Sequence, residues 1–412
     1  MTTREDRWEG GPPPDGPALI WVQHVMGVGH LNRAMALARG LAAAGRPVVL
    51  VSGGRPVPHL AHVDSALPLR LEQLPPLASA DLSFSGLVDT AGAPVTDALW
   101  AARRARLEAL ATEVRPALLI LEMYPFGRRP FDAEVRALID AARAARPEAR
   151  VVCSVRDILV RKDRPEKHAR MLAAANDLID LVLVHGDPAL LPFSATFPQV
   201  DRLRSPVVHT GYLVAPPPAL DGAGTEGTGE VLVSVGGGAM GRALLEAVIL
   251  ARPLCDPARG GALPWRVLVG GALGSQACLD LAARAAPGVV VEPARPDFRL
   301  LLGRARLSIS QAGYNTVAET LMARVPALLV PWGEGTESEQ RDRAAAMARL
   351  GVAQVLETAA PTPVALATAI ESALDALPHP TPMAPVSLRG VARSVDSLLG
   401  SFRAHWHASA GG

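Results

Sequence analysis

Cysteine is scarce in this chain. Cys153, Cys255 and Cys278 stand far apart, an odd number with no C-x-x-C spacing. That excludes a disulfide framework and a cysteine-rich zinc site, and it fits a reducing cytoplasm. An excess of one charge is missing too: Lys plus Arg total 41 against 40 for Asp plus Glu, a net +1. Duplex nucleic acid would want a broadly basic surface, so no nucleic-acid partner is expected, although a local basic patch is compatible with the balance. Aromatic residues make up only 4%, too few for stacking on sugars or bases to be the main binding mode. No run reaches ~18 uninterrupted apolar residues, which excludes a spanning helix and leaves peripheral contact with a membrane open. The N-terminal stretch MTTREDRWEGGPPPDGP has no apolar h-region and reads as a disordered leader over 1–17 rather than a secretory signal. The expected location is therefore cytoplasmic, with contact at the inner face of the membrane left open.

What is present is a long alternation of apolar strands and amphipathic helices. At roughly 150 residues per domain, 412 residues suggest two or three domains. Gly and Pro, 37 of each, exceed the usual combined share of about 12% and point to many tight loops. ALIWVQHV (18–25), PVVLVSGG (47–54), RPALLILE (115–122), ARVVCSV (149–155) and DLVLVHG (180–186) read as buried parallel strands, and RSPVVHTGYL (204–213) closes the block. The segment 215–229 is a Pro/Gly/Ala/Thr linker by composition. A second block follows with EVLVSVGGG (230–238), WRVLVGG (265–271), GVVVEP (288–293), ARLSIS (305–310) and VPALLVPW (325–332). The expected fold is α/β: two doubly wound Rossmann-like domains, 18–214 and 230–385, facing a central cleft, with a final helix and tail over 386–412. In such sheets ligands gather at the carboxyl ends of the strands, so the loops after strands carry the functional candidates.

Four of those loops stand out. Gly27-Val28-Gly29-His30-Leu31-Asn32-Arg33 links the first strand to its helix, with glycines for close backbone approach and a helix N-terminus for anionic groups. The G-x-G-x-x-G fingerprint fails at Asn32, and the second strand lacks a terminal acid, so a dinucleotide is disfavoured. His30 is a candidate general base, against the plainer reading of a packed cap residue. Ser234-Val235-Gly236-Gly237-Gly238 suits a phosphate cradle or equally a tight structural turn, and it lacks the Lys-Ser/Thr of an NTP-hydrolysing loop. Ser310-Gln311-Ala312-Gly313-Tyr314-Asn315-Thr316 leads to Glu319, whose carboxylate suits a ribose diol or is simply an exposed helix residue. Glu339 and Gln340 offer polar groups to sugar hydroxyls, or merely enrich a helix N-terminus in acid. In the first block, Glu122, Arg128 and Arg156-Asp157 follow strand ends and suit an acceptor, an anionic one through the arginines. No Asp-x-Asp pair and no histidine cluster occurs, so neither a metal site nor a cofactor is expected.

The strings SVGGGAMG, SQAGYNTVAE and VPALLVPWGEGTESEQRDRA, in that order, together with GVGHLNRAMALARGLAAAG, resemble GT-B glycosyltransferases of the MurG-like type, with a family 28 C-terminal domain. EMYPFGRR, LVHGDP and HTGY are closer still to uncharacterised bacterial "predicted glycosyl transferases". The resemblance spans about residues 18–356. It implies metal-independent transfer of a sugar from a nucleotide-sugar donor, a UDP-sugar by analogy, to a hydroxyl or similar nucleophile on a small-molecule, lipid-linked or glycan acceptor. It implies that Glu319 holds the donor ribose, that Gly236, Gly237, Gly238, Gly313, Asn315 and Thr316 face the diphosphate, that the backbone near Ala294 meets the base, and that Glu339 and Gln340 read the donor sugar. His30 is then the catalytic base, with Gly29, Asn32, Arg33, Glu122, Arg128 and Asp157 on the acceptor side. The G-x-G-H-x-x-R string also resembles the UDP-sugar hydrolases of pseudaminic acid synthesis, where water replaces the acceptor. A silent nucleotide-sugar binder and a 2-epimerase are the remaining readings, the latter without its Arg-Pro-Glu signature in context.

Overall fold

The computed structural model describes residues 15–25, 27–57, 64–81, 86–159, 165–215, 224–236, 241–332, 338–357, 361–376, 378–381, 383 and 385–400. The first half is built on β1 (Ala18–Val22), α1 (Gly29–Ala43), β2 (Val48–Ser52), β3 (Leu69–Gln73), a short antiparallel pair β4 (Ala78–Ser79) and β5 (Leu87–Val88), α2 (Asp97–Val114), β6 (Leu118–Glu122), α3 (Asp132–Ala145), β7 (Arg150–Arg156), α4 (Pro165–Leu178), β8 (Leu181–His185) and β9 (Val207–His209). Seven of its strands form a parallel sheet in the order β3-β2-β1-β6-β7-β8-β9. The second half carries β10 (Val231–Ser234), α5 (Arg242–Ala251), β11 (Trp265–Val269), α6 (Gly274–Arg284), β12 (Val289–Pro293), α7 (Phe298–Arg304), β13 (Leu307–Ser310), α8 (Tyr314–Ala323), β14 (Ala327–Leu329), α9 (Glu339–Arg349), β15 (Ala353–Val355) and α10 (Pro363–Ala376). Its sheet is also parallel, ordered β12-β11-β10-β13-β14-β15.

The apolar runs explain the layering. β1 is buried on both faces, and its residues alternate between them. Leu19 and Trp21 join the core under α2 and α3, whereas Ala18, Ile20 and Val22 join the core under α1. That is the period-two pattern of a strand covered on both sides. In each sheet the chain order reverses beside the first strand, between β1 and β6 and between β10 and β13. Both reversals open a crevice at the carboxyl strand ends, where ligands bind in doubly wound sheets.

The two halves are in contact. Leu190, Tyr212 and Val214 share one apolar cluster with Tyr314, Val317, Ala344 and Met347. A last helix, α11 (Gly390–Leu399), returns to the first half and lies against α1. Gly40 permits this approach, because a Cβ there would stand 2.5 Å from Val391 Cγ1. Among the described residues no helix is long and apolar enough to cross a membrane.

Candidate functional site

The turn after β1 delivers His30 as the second residue of α1, and the 3.6-residue repeat brings Arg33 onto the same face one turn later. Both side chains converge on Glu122, the last residue of the neighbouring strand β6. His30 Nδ1 lies 3.2 Å from Glu122 Oε1, and Arg33 donates to that oxygen from Nε at 3.2 Å and Nη2 at 2.7 Å. Arg33 Nη2 is also 2.9 Å from His30 Nδ1. Nδ1 therefore sits between an acceptor and a donor. The tautomer that places its hydrogen on Glu122 leaves Nε2 as a free base. Burial, then the charges of Arg128, Arg33 and Arg156 and neighbouring His24, hold the His30 pKa well below 6.5. At neutral pH the imidazole is uncharged, while its side chain keeps 18% of its surface exposed.

Beneath this pair runs a buried polar chain across three strand ends. Ser154 Oγ donates to Glu122 Oε2 at 2.6 Å, and His185 Nε2 lies 2.9 Å from the same hydroxyl. His185 Nδ1 is in turn 2.9 Å from Thr210 Oγ1. Because Ser154 spends its only hydrogen on Glu122, His185 must donate from Nε2, which fixes its tautomer. Burial holds the His185 pKa down at about 4, so it stays neutral. Truncating Ser154 strands two buried polar groups. Ser154→Ala is expected to cost about 1–3 kcal/mol, read from the midpoint of urea unfolding.

A second charged cluster joins the two halves. Arg343 of α9 grips Asp157, just beyond β7, from Nε to Oδ2 at 3.0 Å and from Nη2 to Oδ1 at 2.9 Å. Its Nη1 donates to Ala312 O at 2.7 Å, and Nη2 also reaches Glu339 Oε1 at 3.0 Å. Arg156 Nη2 pairs with Glu339 Oε2 at 2.6 Å, and Tyr212 OH donates to Asp157 Oδ2 at 2.8 Å. Burial works to raise the Asp157 pKa, but the Arg343 charge and hydrogen bonds, with Tyr212 and Arg156, hold it below the usual 3.8. Tyr314 fills the angle between the clusters: its OH accepts from Leu213 N at 3.0 Å, and its ring lies under Arg33 at 4.9 Å.

Several of the expected residues are engaged by protein partners. Asp157 does not face an acceptor, since both oxygens are spent on Arg343 and Tyr212. Glu339 pairs with Arg343 through Oε1 and with Arg156 through Oε2, which leaves one lone pair on each oxygen for a sugar hydroxyl. Glu122 is wholly buried, so it supports His30 instead of touching an acceptor. Gln340 Oε1 accepts from Trp332 N at 3.0 Å, which leaves its second lone pair and its amide nitrogen to read a sugar. Ala294 N is bonded to Val269 O at 2.8 Å, so any base contact there falls to the carbonyl.

Other expectations find a common place. Gly236 turns the chain after β10 at φ +69°, a left-handed conformation that glycine adopts without strain. Gly237 and Gly238 lie outside the described residues. Gly313 caps α8, and Asn315 and Thr316 occupy its first turn. A Cβ on Gly29 would stand 3.4 Å from Asn315 Nδ2, so the His30 turn directly faces the start of α8. Asn32 stands partly exposed in that turn. Glu319 lines a small pocket with Val214, Arg299, Leu302 and Met322. Burial pushes its pKa up to about 7 against the pull of Arg299. Among the described residues no group of three or more His, Cys, Asp or Glu gathers as a metal site would require.

Ser154, His185, Thr210 and Arg343 were not among the expected site residues. Strand register was the available signal for Ser154, because Glu122 and Ser154 are direct neighbours on β6 and β7. Arg343 had no such signal, since its partner stands 186 positions away.

Two parallel, doubly wound domains that meet with their strand-end loops across a cleft define the GT-B glycosyltransferase architecture. Residues 232–397 match the glycosyltransferase family 28 C-terminal domain. Curated relatives are UDP-N-acetylglucosamine–N-acetylmuramyl-(pentapeptide) pyrophosphoryl-undecaprenol N-acetylglucosamine transferases. The protein from Thermotoga neapolitana is 34% identical over 21% of this chain and 26% of its own length. The one from Gloeobacter violaceus is 29% identical over 32% of this chain and 44% of its own length. The chain thus spans between a quarter and a half of these relatives. Among solved structures, Acinetobacter baumannii MurG superposes with a TM-score of 0.55 at 18% identity, over 93% of this chain and 99% of that one. The calicheamicin glycosyltransferase CalG4 gives 0.54 at 19%, over 95% and 100%. These likenesses establish the fold over 93–95% of the chain.

Proposed function

We propose that the protein is a glycosyltransferase that moves a sugar from a nucleotide-sugar donor, a UDP-sugar, to a hydroxyl on an acceptor held by the N-terminal half. The observation that carries this reading is His30: neutral, backed by buried Glu122, and facing the first turn of α8 in the family 28 domain. The acceptor oxygen attacks the anomeric carbon as its proton passes to His30 Nε2. The bond from that carbon to the diphosphate breaks, and its electron pair leaves with the diphosphate. The N-termini of α5 and α8 offer backbone N–H groups to the departing charge, so no metal is required. UDP is preferred as the nucleotide because the matched relatives are named for UDP-N-acetylglucosamine. The test is a panel of nucleotide sugars assayed for nucleotide release with and without candidate acceptors. Release that depends on an acceptor supports transfer, release into water alone makes the protein a hydrolase, and no release at all leaves a binder.

Glu319 supplies a pH-dependent test of the donor site. A ribose diol donates hydrogen bonds to a carboxylate, so donor binding selects the ionised form and lowers a pKa that starts at about 7. UDP affinity should be level above pH 7 and fall by up to about tenfold per unit as the pH drops below it. Glu319→Gln should abolish that slope, and Glu319→Ala should weaken UDP by about 1–3 kcal/mol. Calorimetric titration from pH 5.5 to 8 measures both; a flat wild-type profile with unchanged affinity in Glu319→Ala would remove Glu319 from the donor site.

A further inference from the structure

Four guanidinium groups, those of Arg33, Arg128, Arg156 and Arg343, are disposed around the cleft wall, against the three carboxylates of Glu122, Asp157 and Glu339. Arg33 is held by Glu122, Arg343 by Asp157 and Glu339, and Arg156 by Glu339. Arg128 is left over. Its side chain makes no hydrogen bond or ion pair among the described residues, and its Nε is buried without a partner. Its one stabilising charge is that of Glu122, whose Oε1 is already shared by Arg33 and His30, and a largely desolvated cation without a hydrogen-bonded partner is costly. Here it stands six residues beyond Glu122, on the loop that follows β6, at φ +63°, where a side chain is rarely placed. Two imidazoles feel its charge: after burial, Arg128 is the largest influence lowering the pKa of His30 and of His24. His24 adds a second orphan, since it is 4% exposed and its Nε2 has no partner.

We propose that Arg128, with Arg156 beside it, binds an anionic group on the acceptor, a carboxylate or a phosphate, and so selects an acidic acceptor over a neutral alcohol. The inference rests on the transferase reading for the word acceptor, but the anion site stands on the N-terminal half alone. The donor loops at Gly236, Gly313 and Glu319 all belong to the other half, so the anion is distinct from the donor diphosphate. A planar guanidinium binds either oxyanion through paired charge-assisted hydrogen bonds. The ligand then supplies the hydrogen-bonded partner that Arg128 Nε lacks among the described residues.

The experiment titrates inorganic phosphate, and separately acetate, into the full-length protein saturated with UDP, which fills the donor phosphate site. Saturable binding is expected in the wild type, weakened at least tenfold in Arg128→Gln and partly regained in Arg128→Lys. Binding of phosphate alone identifies a phosphorylated acceptor, and binding of acetate identifies a carboxylate. Without either anion, Arg128→Gln should melt at the same temperature as the wild type or higher, because it removes a desolvated charge that has no hydrogen-bonded partner and that Arg33 and Arg156 repel. No saturable binding, or equal affinity in Arg128→Gln, overturns the proposal. A lower melting temperature with unchanged anion affinity does so as well and marks a structural arginine. If UDP does not bind, the transferase reading fails on its own, and the titration without UDP still decides the anion site.

Discussion

Replacing His30 with alanine is expected to slow turnover by ~10²–10⁴, the usual worth of a positioned general base, while UDP affinity stays within a factor of about two. The separation follows from the architecture. His30 belongs to the first half, whereas Glu319 and the glycine loops belong to the second. Its depressed pKa means that the wild-type imidazole is already deprotonated throughout the neutral range. The acidic limb of the kcat profile should therefore lie below pH 6.5 and vanish in the alanine variant. Glu122→Gln should give a smaller loss, because it leaves a hydrogen-bond acceptor for Nδ1 but removes the charge that stabilises the imidazolium formed during transfer. Turnover in His30→Ala within a few-fold of wild type would sink the assignment. No nearby carboxylate then takes over easily, because Glu122 is sealed in the core and Asp157 is locked by Arg343.

The strands that position the site were legible because they are buried on both faces, and such strands read as unbroken apolar runs. Elements with mixed exposure did not announce themselves. β3, sequence LRLEQ, is an edge strand with no fully buried residue, and β15 is three residues long. α2 is as faint: it buries Arg103, Leu107, Leu110 and Ala111 along eighteen residues, so its apolar stripe is thin. Arg103 is buried because Glu134 of α3 pairs with it at 2.7 Å and Gly53 O, Pro75 O and Gln23 Oε1 accept its remaining hydrogen bonds. The site shows the same divide. A histidine in a glycine-rich turn after a strand marks itself locally, and so does a glutamate at a strand end. Whether such a glutamate meets a ligand or a protein partner depends on residues brought in by tertiary structure. The sequence alone therefore suggests ligand contacts for Asp157 and Glu339, and folding hands both to Arg343.

That pairing carries the other large expected effect. Arg343 and Asp157 are wholly buried, and removing one member of such a pair strands an uncompensated charge. Arg343→Ala should destabilise the protein by about 3–5 kcal/mol, measured by urea unfolding. Replacing both residues with apolar ones of similar size, Asp157→Leu with Arg343→Met, should cost markedly less than the sum of the single changes, since neither charge is left alone. The pair joins the two halves, so its loss should also separate their unfolding. The buried tryptophans Trp21 and Trp265 sit in the two different cores, and each reports its own half by fluorescence once the other five of the six tryptophans are replaced by phenylalanine. Coincident wild-type transitions are expected to split in Arg343→Ala. The pH dependence has a definite sign. The folded-state pKa of Asp157 lies below 3.8, so the pair's contribution is complete above about pH 4 and is lost as the pH falls through the folded pKa. Asp157→Asn should flatten the stability curve in that acid window and leave its salt dependence unchanged, because a buried pair is poorly screened. If Arg343→Ala costs under about 1 kcal/mol, the value of a surface pair, the contact is not what holds the two halves together.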